Sequence, residues 1–225
     1  MEKRSVSEWI KRYVYLCFGL MIMAFGVAFS IKADLGTSPI SSFPYVLSLI
    51  VPLSVGNATI LMHCVFILIQ ILILRKEFPL IQLMQLPIAF VFGYLTDFGV
   101  WAINEVQYDA YWQQCLFCLT GIILVAAGVS FEVTAKAVTL AGEGVVLALN
   151  HIFPVKFSSL KIGFDVTLVV IAGATSWLFL GRIEGIREGT VAAALLVGLT
   201  SRPITWLLKR FEKRFLCQSS HGRMR

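Results

Sequence analysis

Six long apolar runs constrain this chain more than any other feature of its sequence. They lie near residues 13–33, 56–74, 82–101, 113–135, 158–180 and 189–208. A helix of about 20 apolar residues crosses the hydrocarbon core of a bilayer, so each run is long enough to span it. Because 58% of the residues are hydrophobic and only 14% are charged, lipid must solvate much of the surface. The sequence predicts an all-α, polytopic membrane protein.

Two shorter apolar stretches, near 39–51 and 141–153, are each roughly 20 Å long as helices and too short to span comfortably. Before the first, Gly36 permits a sharp reversal, Ser38 is a good N-cap and Pro39 suits the first helical position. Thr139 is expected to play the cap role before the second. Both stretches are interpreted as short re-entrant or interfacial helices.

The chain matches itself when it is shifted by 102 positions. Twelve of the 51 pairs between 19–69 and 121–171 are identical, including the Gly-x6-Gly spacing of the first run and the prolines Pro52 and Pro154. A further shift of about three residues lays "FVFGYLTD" on "LLVGLTSR". We interpret this as a duplication, with repeat 1 at 13–110 and repeat 2 at 111–208, flanked by basic cytoplasmic tails at 1–12 and 209–225.

The topology has two alternatives. If each repeat has three spans and one short helix, the second repeat enters from the opposite side and the repeats are inverted. If the short helices also cross, there are eight spans and the repeats are parallel. Positively charged residues concentrate in cytoplasmic loops. Six spans with both termini in the cytoplasm leave few of them outside (Lys32, Arg182 and Arg187), whereas eight spans add three more (Arg75, Lys76 and Lys136). Six spans are therefore favoured.

Several segments resemble a known family. They are "KADLGTSPISSFPYVLS" after a glycine-rich span, then "KIGFDVTLVV", then "GIREGTVAAALLVGLTSR". In this order they resemble the bacterial YczE/YyaS/YitT-like integral membrane proteins over residues 13 to 208. The resemblance implies a membrane-embedded protein of similar size and transfers no catalytic residues. The positions that carry it are Asp34, Gly36, Ser38, Pro39, Asp165, Glu188, Gly189 and Thr190.

Ionisable residues inside the apolar runs indicate where a site could be, because a charge in hydrocarbon costs about 2.5–3.5 kcal/mol. When the two repeats are aligned, Asp34 matches Lys136, His63 matches Asp165 and Asp97 matches Arg202. In the short helices, Glu143 and Asn150 lie seven apart and share one face. The candidate solute, ion or proton site comprises His63, Asp165, Asp34, Lys136, Glu143 and Asn150. Secondary candidates are Asp97, Arg202, Arg187, Glu188 and Thr190, and the charges of 182–190 are expected to pair locally.

Structural roles compete with this interpretation at every position. Residues near span ends can extend to the interface, and ion pairs can lock two halves together without binding a solute. The basic clusters are interpreted as topology signals rather than a nucleic-acid surface. The C-x-x-C of Cys115 and Cys118 lacks the further ligands of a zinc site. We expect no cofactor, no metal and no enzymatic activity, since no catalytic motif occurs.

Two functions remain as predictions. The first is a small-solute transporter or channel-like protein of the cytoplasmic membrane, with a polar site between the two repeats. The second is a non-catalytic regulatory or accessory subunit whose polar residues bind partner helices. The expected partners are the bilayer and a small solute or ion, and a homo-oligomer or another membrane protein is an open alternative.

Overall fold

The computed structural model describes the backbone of residues 6–221 and the side chains of 8–211. All regular structure in this part of the chain is helical. The helices are α1 (Val6–Ala33), α2 (Pro39–Ile50), α3 (Val55–Leu74), α4 (Gln85–Ile103), α5 (Tyr111–Ala135), α6 (Ala141–Ile152), α7 (Phe157–Leu180) and α8 (Glu188–His221), with two short 3-10 turns at Arg75–Glu77 and Leu80–Met84. Most basic residues of the two predicted tails lie outside the described side chains.

Six of these helices are long and apolar enough to cross a membrane, and they coincide with the six predicted runs. The chain is therefore interpreted as a multi-pass membrane protein. Helix α1 begins at Val6, seven residues before the predicted span, and α8 continues to His221, well past the predicted end at 208. Helical hydrogen bonding therefore continues beyond the apolar segments that the sequence pattern detects.

Helices α1 and α5 form the centre of the bundle and cross in antiparallel directions at glycines. A Cβ on Gly19 would lie 3.1 Å from the carbonyl oxygen of Gly128, and one on Gly26 would lie 2.9 Å from that of Gly121. Such small residues let membrane helices approach closely. Around this pair, α1 packs on α4, α5 packs on α8, α2 packs on α7 and α3 packs on α6.

The two short helices begin differently. Helix α2 has Ser38 as its N-cap residue and Pro39 at its start, as predicted, although the Ser38 hydroxyl donates to Ser41 Oγ rather than capping a backbone N–H. The N-cap of α6 is Leu140, so the prediction of Thr139 is wrong. The reason is that the Leu140 N–H is bound by the carboxylate of Glu132, at 2.7 Å, which fixes the start of α6 from outside the helix.

The turns before the short helices use left-handed backbone. Asp34, Lys136 and Gly36 have φ angles of 54°, 48° and 94°. Glycine is required at position 36 for two reasons. Its φ angle is positive, and a Cβ there would lie 2.6 Å from the backbone nitrogen of Arg187. The predicted reversal at Gly36 is confirmed, and it brings the start of α2 against the segment before α8.

Candidate functional site

A small, partly open cavity of about 40 Å³ lies near the crossing of α1 and α5, and we call it the central cavity. Its polar wall consists of Ser38, Ser41, Thr59 and His63, and Leu140 and Val125 close it from the second half of the chain. His63 is 1% exposed, and its Nδ1 has no hydrogen-bond partner. The rings of Phe66 and Phe92 lie 6.3 and 6.0 Å from the imidazole and shield it from polar groups on those sides.

Asp165, the partner of His63 in the repeat register, lies elsewhere. Its carboxylate accepts a 2.6 Å hydrogen bond from the Lys161 ammonium, one helical turn earlier on α7. Among the described side chains, no hydrogen bond or ion pair joins His63 to Asp165. The two residues therefore belong to separate polar environments, one fully buried and one half-buried.

Asp165 is part of a charged cluster, which we define as Glu132, Glu143, Lys161 and Asp165. The carboxylates of Glu132 and Glu143 repel each other, Lys161 attracts both, and Asp165 repels Glu143. Glu132 is 3% exposed, whereas Lys161 and Asp165 retain 30% and 24% of their side-chain exposure. The cluster thus extends from a half-exposed ion pair to a fully buried carboxylate.

Local geometry explains how α5, α6 and α7 bring these residues together. Helix α5 ends at Ala135, and the left-handed Lys136 turns the chain back so that the Leu140 N–H reaches Glu132 on the preceding helical turn. Glu143 then lies in the first turn of α6. Anionic groups are favoured near a helix N-terminus, because unpaired N–H groups and the helix dipole are positive there. The α6 N-terminus therefore offsets part of the cost of burying these two carboxyl groups.

Leu140 connects the two environments. Its side chain lines the central cavity, while its backbone N–H binds Glu132 of the charged cluster. A shift at the start of α6 would therefore change both the wall of the central cavity and the hydrogen bond to Glu132. The central cavity and the charged cluster are therefore neighbours in the bundle, and Leu140 separates them.

A pair of buried glutamines binds the first residue of α6. Gln70 and Gln85 are 0% and 1% exposed and are hydrogen-bonded to each other, at 2.9 Å from Gln70 Nε2 to Gln85 Oε1. Gln70 also donates to the carbonyl oxygen of Ala141, at 3.1 Å. The first residue of α6 is thus tied to α3 and, through the glutamine pair, to α4.

Sequence reasoning missed Glu132, Lys161, Gln70 and Gln85. Glu132 was detectable, because "VSFEVTA" places a carboxylate inside a predicted span, where charge is expensive. The two glutamines are uncharged and isolated in their runs, so no sequence signal pairs them. Lys161 could have been linked to Asp165 by its spacing of four on a helix.

Asp97 and Arg202, matched in the repeat register, also lie apart. The Asp97 carboxylate accepts 2.6 Å hydrogen bonds from Ser54 Oγ and from the backbone N–H of Gly56, which fixes the start of α3. Arg202 is exposed on α8. Asp97 therefore caps the start of α3, whereas Arg202, its match in the other repeat, is exposed.

Asp34 and Lys136 are likewise separated. Arg187 donates to the Asp34 carbonyl oxygen at 2.8 Å, and its guanidinium lies 3.9 Å from the Asp34 carboxylate. Lys136 is exposed, and Arg12 donates to the carbonyl oxygen of the adjacent Ala135 at 2.8 Å. The physical reason is the antiparallel crossing of α1 and α5, which puts the ends of the two helices at opposite ends of the bundle.

The remaining predicted residues have local partners. The charges of 182–190 pair with near neighbours as expected, with Arg182 on Glu184 at 2.6 Å and Arg187 on Glu188 at 3.4 Å. The Thr190 hydroxyl accepts from the Arg187 N–H at 3.4 Å. The amide of Asn150 donates to the carbonyl oxygen of Val155, at 2.6 Å, and so supports the turn after α6 instead of lining the central cavity.

Comparison with known proteins gives a family and one curated relative. Residues 10–205 match a family described as a family of unknown function, DUF6198. An uncharacterised protein of Bacillus subtilis (strain 168), YyaS, is 26% identical over 126 residues, which cover 56% of this chain and 61% of that protein. The chain thus spans about three fifths of that relative's length. No solved structure matches significantly.

Proposed function

The chain belongs to the DUF6198 family, as its resemblance to YyaS-like proteins indicated, and on this premise we propose that it is a small-solute transporter or channel-like protein of the cytoplasmic membrane. The proposed path runs through the charged cluster to the central cavity. The observation that carries the proposal is the buried carboxylate of Glu132 beside Glu143. Such a group is expensive in a membrane protein, and intramembrane carboxylates commonly mark ion or proton pathways.

The proposed architecture is two inverted repeats, and the helix boundaries support it. Four boundaries in the first half recur 102 positions later, among them both ends of α2 (Pro39–Ile50) in α6 (Ala141–Ile152). The ends of α1 and α5, Ala33 and Ala135, and the starts of α3 and α7, Val55 and Phe157, have the same offset. The same offset relates the left-handed residues Asp34 and Lys136.

Packing supports the inverted arrangement over the parallel one. A two-fold axis that exchanges residue i with i+102 turns the contact of Gly19 with Gly128 into that of Gly121 with Gly26, and both contacts are present. The same axis exchanges the packing of α2 against α7 with the packing of α6 against α3, and both contacts are present. Parallel repeats would require α1 and α5 to run in the same direction, whereas they cross in opposite directions.

The charged cluster favours a cationic solute or protons. Three carboxylates face one ammonium group, so the cluster carries excess negative charge when its carboxylates are ionised. Among the described side chains, His, Cys, Asp and Glu form no group of three placed to hold a metal ion. We therefore propose that the cluster exchanges protons or binds a small organic or monovalent cation, with Lys161 as the internal counter-ion of Asp165.

We predict that Asp165→Asn abolishes solute movement, because Lys161 then loses its anionic partner and competes for Glu143. The measurement is flux into proteoliposomes, with a pH-sensitive dye for protons and a panel of small monovalent cations and amines outside. Asp109→Asn is the matched control, since Asp109 is exposed in the loop before α5. If the wild-type protein moves a solute and Asp165→Asn moves it equally well, the assignment of the path is wrong.

Reporter fusions at 34–38, 75–80 and 136–140 test the inverted topology, and we predict their locations as follows. With both termini in the cytoplasm and six spans, the first segment lies outside and the other two lie inside. The eight-span alternative places all three on the same side. Agreement between the 34–38 and 75–80 reporters would therefore contradict the proposal, in which α3 is the one crossing between these two segments.

One observation favours a second function, a membrane regulatory or accessory subunit. Helices α7 and α8 are the least buried of the six long helices, and their outer faces carry large side chains such as Trp177, Phe179 and Trp206. Lipid can cover these faces, and so can a partner helix. A stoichiometric membrane partner that survives detergent purification, together with no flux of any solute in the panel, would favour this function.

A further inference from the structure

We propose that the central cavity is a binding site for an uncharged, water-sized molecule that both donates and accepts hydrogen bonds. The site is distinct from the charged cluster, from which Leu140 separates it. The proposal does not require that the protein transports anything. It rests on the unpaired nitrogen of His63, on the hydroxyl groups around it and on the volume of the cavity.

The unpaired nitrogen is the first argument. Buried polar groups in proteins are nearly always hydrogen-bonded, to protein or to ordered water, and an unpaired one costs about 1–3 kcal/mol. His63 is 1% exposed, lines the cavity and has an Nδ1 without a protein partner. A ring flip exchanges the two edges of the imidazole, so a molecule in the cavity can pair with either nitrogen.

The hydroxyl groups define what the molecule must offer. Ser38 donates its hydrogen to Ser41 Oγ, at 3.0 Å, and Thr59 donates its hydrogen to the Val55 carbonyl oxygen, at 2.8 Å. Both oxygens therefore face a ligand only as acceptors. The Ser41 hydrogen has no protein acceptor among the described hydrogen bonds, so Ser41 can donate. A bound molecule must donate to Thr59 or Ser38 and accept from Ser41.

Charge and size narrow the class further. Among the described residues, neither a carboxylate nor a Lys or Arg side chain lines the cavity, so neither a cation nor an anion finds a counter-charge there. The volume of about 40 Å³ exceeds the roughly 10–15 Å³ that a cavity needs to hold one water, so a molecule of that size fits. One water molecule with two to four polar partners meets all of these requirements.

The test is magnetic resonance on the full chain in nanodiscs, with 15N-labelled histidine. His151→Gln and His221→Gln remove the other two of the three histidines and leave the His63 signal alone. We expect magnetisation to pass from water to the His63 ring. Ser41→Val fills the cavity and should abolish this transfer, whereas Ser48→Val, seven residues further along α2 and outside the cavity wall, should preserve it.

Thr59→Val is a second variant, because it keeps the shape of the side chain and removes an acceptor. We expect it to weaken the transfer even if Ser41→Val does not fold. Absence of transfer in the wild-type protein would mean that the cavity is dry and would overturn the proposal. Persistence of full transfer in Thr59→Val, or in a folded Ser41→Val, would also overturn it, since His63 would then contact water from another direction.

Discussion

Replacing Gly26 by alanine is expected to destabilise the protein by about 1–3 kcal/mol, as overpacking of a close contact does. A Cβ at this position would lie 2.6 Å from the backbone nitrogen of Val125 and 2.9 Å from the carbonyl oxygen of Gly121. Both obstacles are backbone atoms, which cannot rotate aside as a side chain would. Helices α1 and α5 must therefore move apart, and the close contact between them is lost.

The sign of this effect separates packing from helix propensity. In a helix interior, alanine is more favourable than glycine by about 0.5–1 kcal/mol. Gly163 on α7 is the matched control, because a Cβ there would meet no atom within 4 Å. Gly163→Ala should stabilise the protein, while Gly26→Ala should destabilise it. The measurement is the free energy of unfolding in mixed micelles during a titration with denaturing detergent, and equal effects of the two substitutions would contradict the proposed crossing.

The helices could be predicted from the sequence because their signals are local. Length and apolar composition identify a span, and the six predicted runs match the six long helices. The short helix at Pro39–Ile50 followed from Gly36, Ser38 and Pro39, which act within a few residues of one another. The shift of 102 positions likewise needs no knowledge of the fold, since it compares the sequence with itself.

The candidate site could not be predicted to the same extent, because it depends on which helix faces which. The repeat register matched His63 with Asp165 and Asp97 with Arg202, but equivalent positions meet only if they lie next to the two-fold axis. Whether a polar side chain has a partner is also a property of the packing. Nothing in the sequence around Gln70 indicates that its amide meets Gln85 and the first residue of α6.

Replacing Glu132 by alanine is expected to have the second large effect on stability. The carboxylate is 3% exposed and binds the Leu140 N–H, which is otherwise an unpaired donor at the start of α6. Leaving a buried donor unpaired costs about 1–3 kcal/mol, and the truncated side chain also leaves a cavity. We expect loss of helical order at the start of α6, measured as faster hydrogen exchange of the Leu140 amide together with a lower free energy of unfolding.

Glu132→Gln is the control that separates the hydrogen bond from the charge. A glutamine at this position keeps a side-chain oxygen for the Leu140 N–H and cannot ionise, so we expect stability within about 1 kcal/mol of the wild-type value. Flux should nevertheless fall, because the charged cluster loses the carboxylate that the proposed path requires. If Glu132→Gln instead preserves flux in full, the carboxylate has the structural role of holding α6, and the path must avoid it.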